Sequence, residues 1–150
     1  MNYNKVKLLD WIPLDKLNFI YLSLNPNATY IINQNFDNID WPAISYNKNA
    51  IHLLEQNLDK IDWCYLASNP NAIHLIEKNI HKISLAMLSR NSNAIHLLEQ
   101  HINKIDWRQL SHNPNAIHLL EQFPEKINWS NLSLNPMGLS INESKCNFFT

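Results

Sequence analysis

The chain has 150 residues, of which 45% are hydrophobic and 17% charged, enough apolar content for a folded chain and too little charge for a disordered one. Its 12 Lys and Arg stand against 13 Asp and Glu for a formal charge of -1, and no basic run is present to neutralise a row of phosphates, which excludes nucleic acid as a general partner. No apolar run approaches the length that spans a membrane.

The opening stretch, MNYNKVKLLDWIPLDK, is too poor in consecutive apolar residues for a secretory signal. Cys64 and Cys146 are far apart and belong to no CxxC or Cys/His cluster. Both observations predict an intracellular protein with free thiols and no disulfide. Residues 1–16 match nothing that follows, but Leu8, Leu9, Trp11, Ile12 and Leu14 are apolar enough to cover the end of a stack as an N-terminal cap.

From Leu17 onward the chain is periodic. NPNAIHLLEQ at Asn113–Gln122 has near copies beginning at Asn25, Asn47, Asn69 and Asn91, each 22 residues from the next without an insertion. Six frames begin at Leu17, Ile39, Ile61, Ile83, Ile105 and Ile127 and end near residue 137, leaving 138–150 as a C-terminal cap or a frayed tail in which Phe148 and Phe149 favour docking. A period of this length predicts a helical-repeat solenoid of all-α class, handedness open.

Each frame predicts two helices. Position 2 is Asn18, Asp40, Asp62, Ser84, Asp106 or Asn128, all strong N-cap types. The short helix that starts there carries an aromatic at position 3, with Leu85 the exception, and an aliphatic at position 6, and its length also suits a 3₁₀ turn. The tryptophans at position 3 read as a core spine. Position 9 is Asn in all six frames and is followed by Pro in four, a start signal for the second helix, whose buried stripe is represented by Ala72, Ile73, Leu75 and Ile76. Asn35, Asn57 and Asn79 at position 19 suit a left-handed C-terminal turn, in a chain with 24 Asn and one Gly. Lysine at position 22 faces the negative end of that helix.

The phrases NPNAIHLLEQ and DKIDWxxLSxNPNAI, together with the opening segment LLDWIPLDKL, resemble the short tandem repeats of proteins encoded by large double-stranded DNA viruses of the giant-virus group. The resemblance covers about residues 8–137. It implies expression in an infected host cell and carries no activity over. In layout the repeats are similar to leucine-rich-variant and other small helical solenoids, an analogy of architecture alone. The pattern is broken at Lys48, Leu85, Ser92 and Met137.

Catalytic chemistry finds little support. His52 with Glu55, His74 with Glu77, His96 with Glu99 and His118 with Glu121 share helical faces, but two ligands make a weak metal site, and a solvated face explains them better. The Asn rows at positions 9 and 11 are read as caps and cross-links between neighbouring repeats. With one glycine there is no phosphate loop, and no frame is singular in the way a catalytic centre requires. We therefore expect a non-enzyme without cofactor or metal. What varies is the outward side of the short helix at positions 4, 5 and 8. Tyr21, Tyr46, Tyr65, Met87, Arg90, Arg108, Gln109 and His112 lie there and include the residue types that carry interface energy. They form the candidate binding surface for a host or viral protein, with self-assembly through exposed stack ends as the alternative.

Overall fold

A computed structural model describes residues 7–139, all of whose regular elements are helical. The expected C-terminal cap or tail, including Phe148 and Phe149, lies outside the described residues, as do residues 1–6. Contacts group the chain into two units, one ending at Ser84 and the other starting at Leu85.

Unit 1 contains the frames that begin at positions 17, 39 and 61. Its short helices are α1 (Phe19–Leu24), α3 (Trp41–Tyr46) and α5 (Trp63–Ala67), and its second helices are α2 (Thr29–Asn33), α4 (Ile51–Glu55) and α6 (Ile73–Lys78). In unit 2 the short helices are α7 (Leu85–Leu88), α9 (Trp107–His112) and α11 (Trp129–Leu132), and the second helices are α8 (Ile95–Glu99) and α10 (Ile117–Gln122). The short helices are α-helical, so the 3₁₀ character expected of them is found elsewhere. It occupies a third element after the second helix, at Phe36–Asn38, Leu58–Lys60, Ile80–Lys82, Ile102–Lys104 and Pro124–Lys126.

Local chemistry accounts for each start. Asn18, Asp40, Asp62, Asp106 and Asn128 accept hydrogen bonds from first-turn amides, satisfying donors that no helical carbonyl can reach. At position 9 the Asn oxygen accepts from the amide two residues on, as in Asn69 with Asn71 at 3.1 Å. That closes a tight turn ahead of the second helix; the α-helix proper begins only at Ile73, with Ala72 as its boundary residue.

The left-handed turn expected at position 19 does not form, since no described residue has positive φ. Asn35, Asn57 and Asn79 instead turn their amide nitrogens back onto the carbonyls of Ile31, Leu53 and Leu75 at 2.8, 2.8 and 2.9 Å. The side chain does the capping, so the backbone has no need of the αL conformation that an L-residue adopts at a cost.

Packing places Ile39, Ile61, Ile83 and Ile105 from position 1, Ile44, Leu66, Leu88 and Leu110 from position 6, and an alanine with two aliphatics from each second helix, such as Ala72, Leu75 and Ile76, in the interior. Among these buried aliphatics lie buried polar residues: Ser23, Ser45, Ser89 and Ser111 from position 7, and Asn47, Asn69, Asn91, Asn113 and Asn135 from position 9. Each serine hydroxyl accepts the position-2 amide of the following frame, Asp62 to Ser45 at 3.0 Å in unit 1 and Asn128 to Ser111 at 2.9 Å in unit 2. Asn47, Asn69, Asn113 and Asn135 each donate both amide hydrogens backward, as Asn69 does to the carbonyls of Ser45 at 3.0 Å and Asn47 at 3.1 Å, and Asn113 to those of Ser89 and Asn91. Among the described residues no buried side-chain nitrogen or oxygen lacks a partner. Unpaired, each such group would cost about 1–3 kcal/mol, so these bonds fix how one frame seats on the last.

Candidate functional site

The candidate surface rides on the short helices. With position 6 turned inward and the N-cap locking the first turn, positions 4, 5 and 8 are left outward, and spacings of three and four keep them on one helical side. In unit 1 Tyr21, Tyr46 and Tyr65 are 72%, 52% and 51% exposed. In unit 2 Met87, Arg90, Arg108 and His112 are exposed and Gln109 is half-buried. One position-5 residue departs from this line: Ala43 is buried, because α3 is flanked by α1 and α5 and a methyl group is too short to reach past them.

One member of this set, Tyr46, lines a cavity in unit 1. In unit 1 a cleft of about 330 Å³ opens between the position-8 and position-10 residues of three successive frames, lined by Leu24, Tyr46 and Ser68 and by Pro26, Lys48 and Pro70. Tyr21 and Tyr65 are not among its lining residues. The cleft walls lie on the turns closed by Asn25, Asn47 and Asn69. The prolines and Lys48 at position 10 are the lining that the variable-position reading missed. The signal was present in Lys48, which stands where four other frames carry Pro.

The histidine and glutamate row is joined between helices of neighbouring frames. His74 Nε2 meets Glu55 Oε1 of the preceding frame at 2.7 Å, and His118 Nε2 meets Glu99 Oε1 at 2.8 Å. These side chains are about half exposed, so each pair is a modest bridge between neighbouring frames. Among the described residues, no group of three or more His, Cys, Asp and Glu side chains could hold a metal ion.

The tryptophans also differ from a core spine. Trp41, Trp63 and Trp107 are half-buried and Trp129 is 66% exposed. Their flanks are covered by side chains from position 19, 20 or 22: Phe36 stands edge-on to Trp41 at 5.5 Å, Phe123 lies against Trp107 at 5.2 Å, and the ammonium groups of Lys60 and Lys82 sit 5.3 and 4.7 Å from the Trp41 and Trp63 ring centroids. Lysine at position 22 ends its own 3₁₀ turn, so in these two frames its charge lies over an aromatic face, where the ring quadrupole attracts it.

Compared with protein-family models, with curated proteins and with solved structures, the chain matches none. The functional reading therefore rests on the chain's own surface. No helix among the described residues is long and apolar enough to cross a membrane.

Proposed function

We propose that the chain is a non-enzymatic protein-interaction module, a helical-repeat solenoid whose varied outward side chains bind a host or viral protein within an infected cell. The single observation that carries this reading is a contrast of position. Interior Asn, Ile and Leu recur frame after frame, as does Ser at position 7 except at Ala67, whereas the exposed Tyr21, Tyr46, Tyr65, Met87, Arg90, Arg108 and His112 stand at positions that vary. Tyr offers a large contact area with only two rotatable bonds to immobilise, and Met and Arg are enriched at the cores of protein interfaces. The viral setting is supported by the resemblance of the NPNAIHLLEQ repeats alone. The test is affinity capture from infected cells with the natural chain and with Tyr21, Tyr46 and Tyr65 all changed to Ser. A partner recovered by the first and lost with the second is the expected result; equal recovery by both would remove the surface from the proposal.

A second reading, assembly of copies through apolar ends, is favoured by Trp129 and Leu134 of the last frame, which are 66% and 70% exposed. It expects a concentration-dependent sedimentation coefficient that Leu134→Asp abolishes.

A further inference from the structure

We propose that the unit 1 cleft is a docking groove for an acidic, apolar linear peptide, with an aliphatic or aromatic side chain seated among Leu24, Pro26 and Pro70 and a carboxylate paired with Lys48. This rests on the protein-interaction reading and narrows it to one site and one class of partner.

Three features of the groove lead there. Its backbone is already committed. The carbonyls of Asn25 and Pro26 accept the side-chain amides of Asn47 and Asn49, and those of Asn47 and Lys48 accept the side-chain amides of Asn69 and Asn71. A partner cannot be read by adding a strand to these acceptors, so recognition falls to side chains. Tyr46, Lys48 and Ser68 line the cleft, and their side chains make no hydrogen bond or ion pair among the described residues.

Charge is the second feature. Among the described residues, Lys48 is the only acidic or basic side chain lining the cleft. Across all six frames positions 4, 5, 8, 10 and 11 contain no Asp or Glu; the acidic side chains of the frames are confined to positions 2, 17 and 21, those at position 2 serving as helix caps. A chain of net charge -1 thus keeps its acids off this side, which repels basic segments and favours a carboxylate.

The third feature is preorganisation. Two prolines and three Asn-closed turns hold the walls, and about 330 Å³ is room for one or two side chains of an extended segment rather than for a whole helix. Lys48 interrupts the proline row at the middle of the three frames, so this cleft sets one cation between two proline walls.

The test is selection of random displayed peptides on the full chain, followed by fluorescence anisotropy with a labelled winner. Winners enriched in Asp or Glu beside Leu, Ile or Phe are expected. Lys48→Glu and Tyr46→Ala should each weaken the labelled peptide at least about tenfold, close to 1.4 kcal/mol. Lys48→Arg should retain binding, and Lys104→Glu, at an exposed lysine of unit 2 outside the candidate surface, should change it by less than about twofold. Lys48 and Tyr46 are exposed, so matched circular dichroism and denaturation midpoints will show that the variants are folded. Selection of neutral or basic peptides, selection of none, or acidic winners indifferent to Lys48→Glu and Tyr46→Ala would overturn the groove. Any of these would leave standing the wider reading, which the capture experiment tests separately. Self-association that Tyr46→Ala abolishes would place a second copy in the groove and overturn the peptide.

Discussion

The buried asparagine and serine rows and the exposed outer row are built on the same short helices and turns, yet they obey opposite rules. Inside, Asn recurs at position 9 of every frame, and each described copy makes the same turn contact. Outside, position 8 runs through Leu24, Tyr46, Ser68, Arg90, His112 and Leu134 with no two neighbours alike. The contrast separates what holds one frame on another from what is left to meet a partner. It also makes the two rows separable by substitution.

The largest effect should come from the interior. Asn113→Ala removes two bonds to the carbonyls of Ser89 and Asn91 and the acceptor for the Asn115 amide, and should lower unfolding free energy by about 4 kcal/mol in chemical denaturation. Asn113→Asp should be no milder, because it sets carboxylate oxygens against carbonyl oxygens. Ser45→Ala leaves the Asp62 amide without its partner and should cost about 1–2 kcal/mol by the same measurement. Smaller again is the coupling between His74 and Glu55. A double-mutant cycle with His74→Ala and Glu55→Ala should return about 0.5 kcal/mol or less, as half-exposed pairs do. At the far end, Tyr65→Ser should move stability by no more than about 0.5 kcal/mol while weakening partner capture. A Tyr65 variant as destabilised as Asn113→Ala would erase the distinction between the two rows.

Much of this was legible in the sequence, and the boundary of what was legible is instructive. The N-caps at Asp40, Asp62 and Asp106 follow from side-chain chemistry over a few residues, and so do Ala72, Leu75 and Ile76 of the expected stripe, while Ile73 is only half-buried. The helical class follows from them. What escaped depends on how one frame is seated against the next. The pairing of His74 with Glu55, 19 residues back, rather than with Glu77 on its own helix, is set by that register. Ser45 raised no expectation because its second partner, the Asp62 amide, is 17 residues ahead. Asn57 shows a different limit: an Asn near a helix end can adopt αL or donate through its side chain, and only the observed φ of -139 with its bond to Leu53 decides between them. For the candidate surface, exposure of the tyrosines was legible from spacing, whereas the cleft needed Pro26, Lys48 and Pro70 placed beside Tyr46 in space.

The backward grip of the position-9 asparagine has an evolutionary corollary. Asn47 clasps the turn behind it and offers its own carbonyl to Asn69 in the identical way, so within unit 1 plug and socket are the same fitting. A gene duplication that pasted in one more copy, or a slippage that dropped one, would find matching fittings at both cut edges. Lineages can therefore lengthen or shorten such a chain by copying errors alone, and leave selection to rewrite only the outer letters of the newcomer.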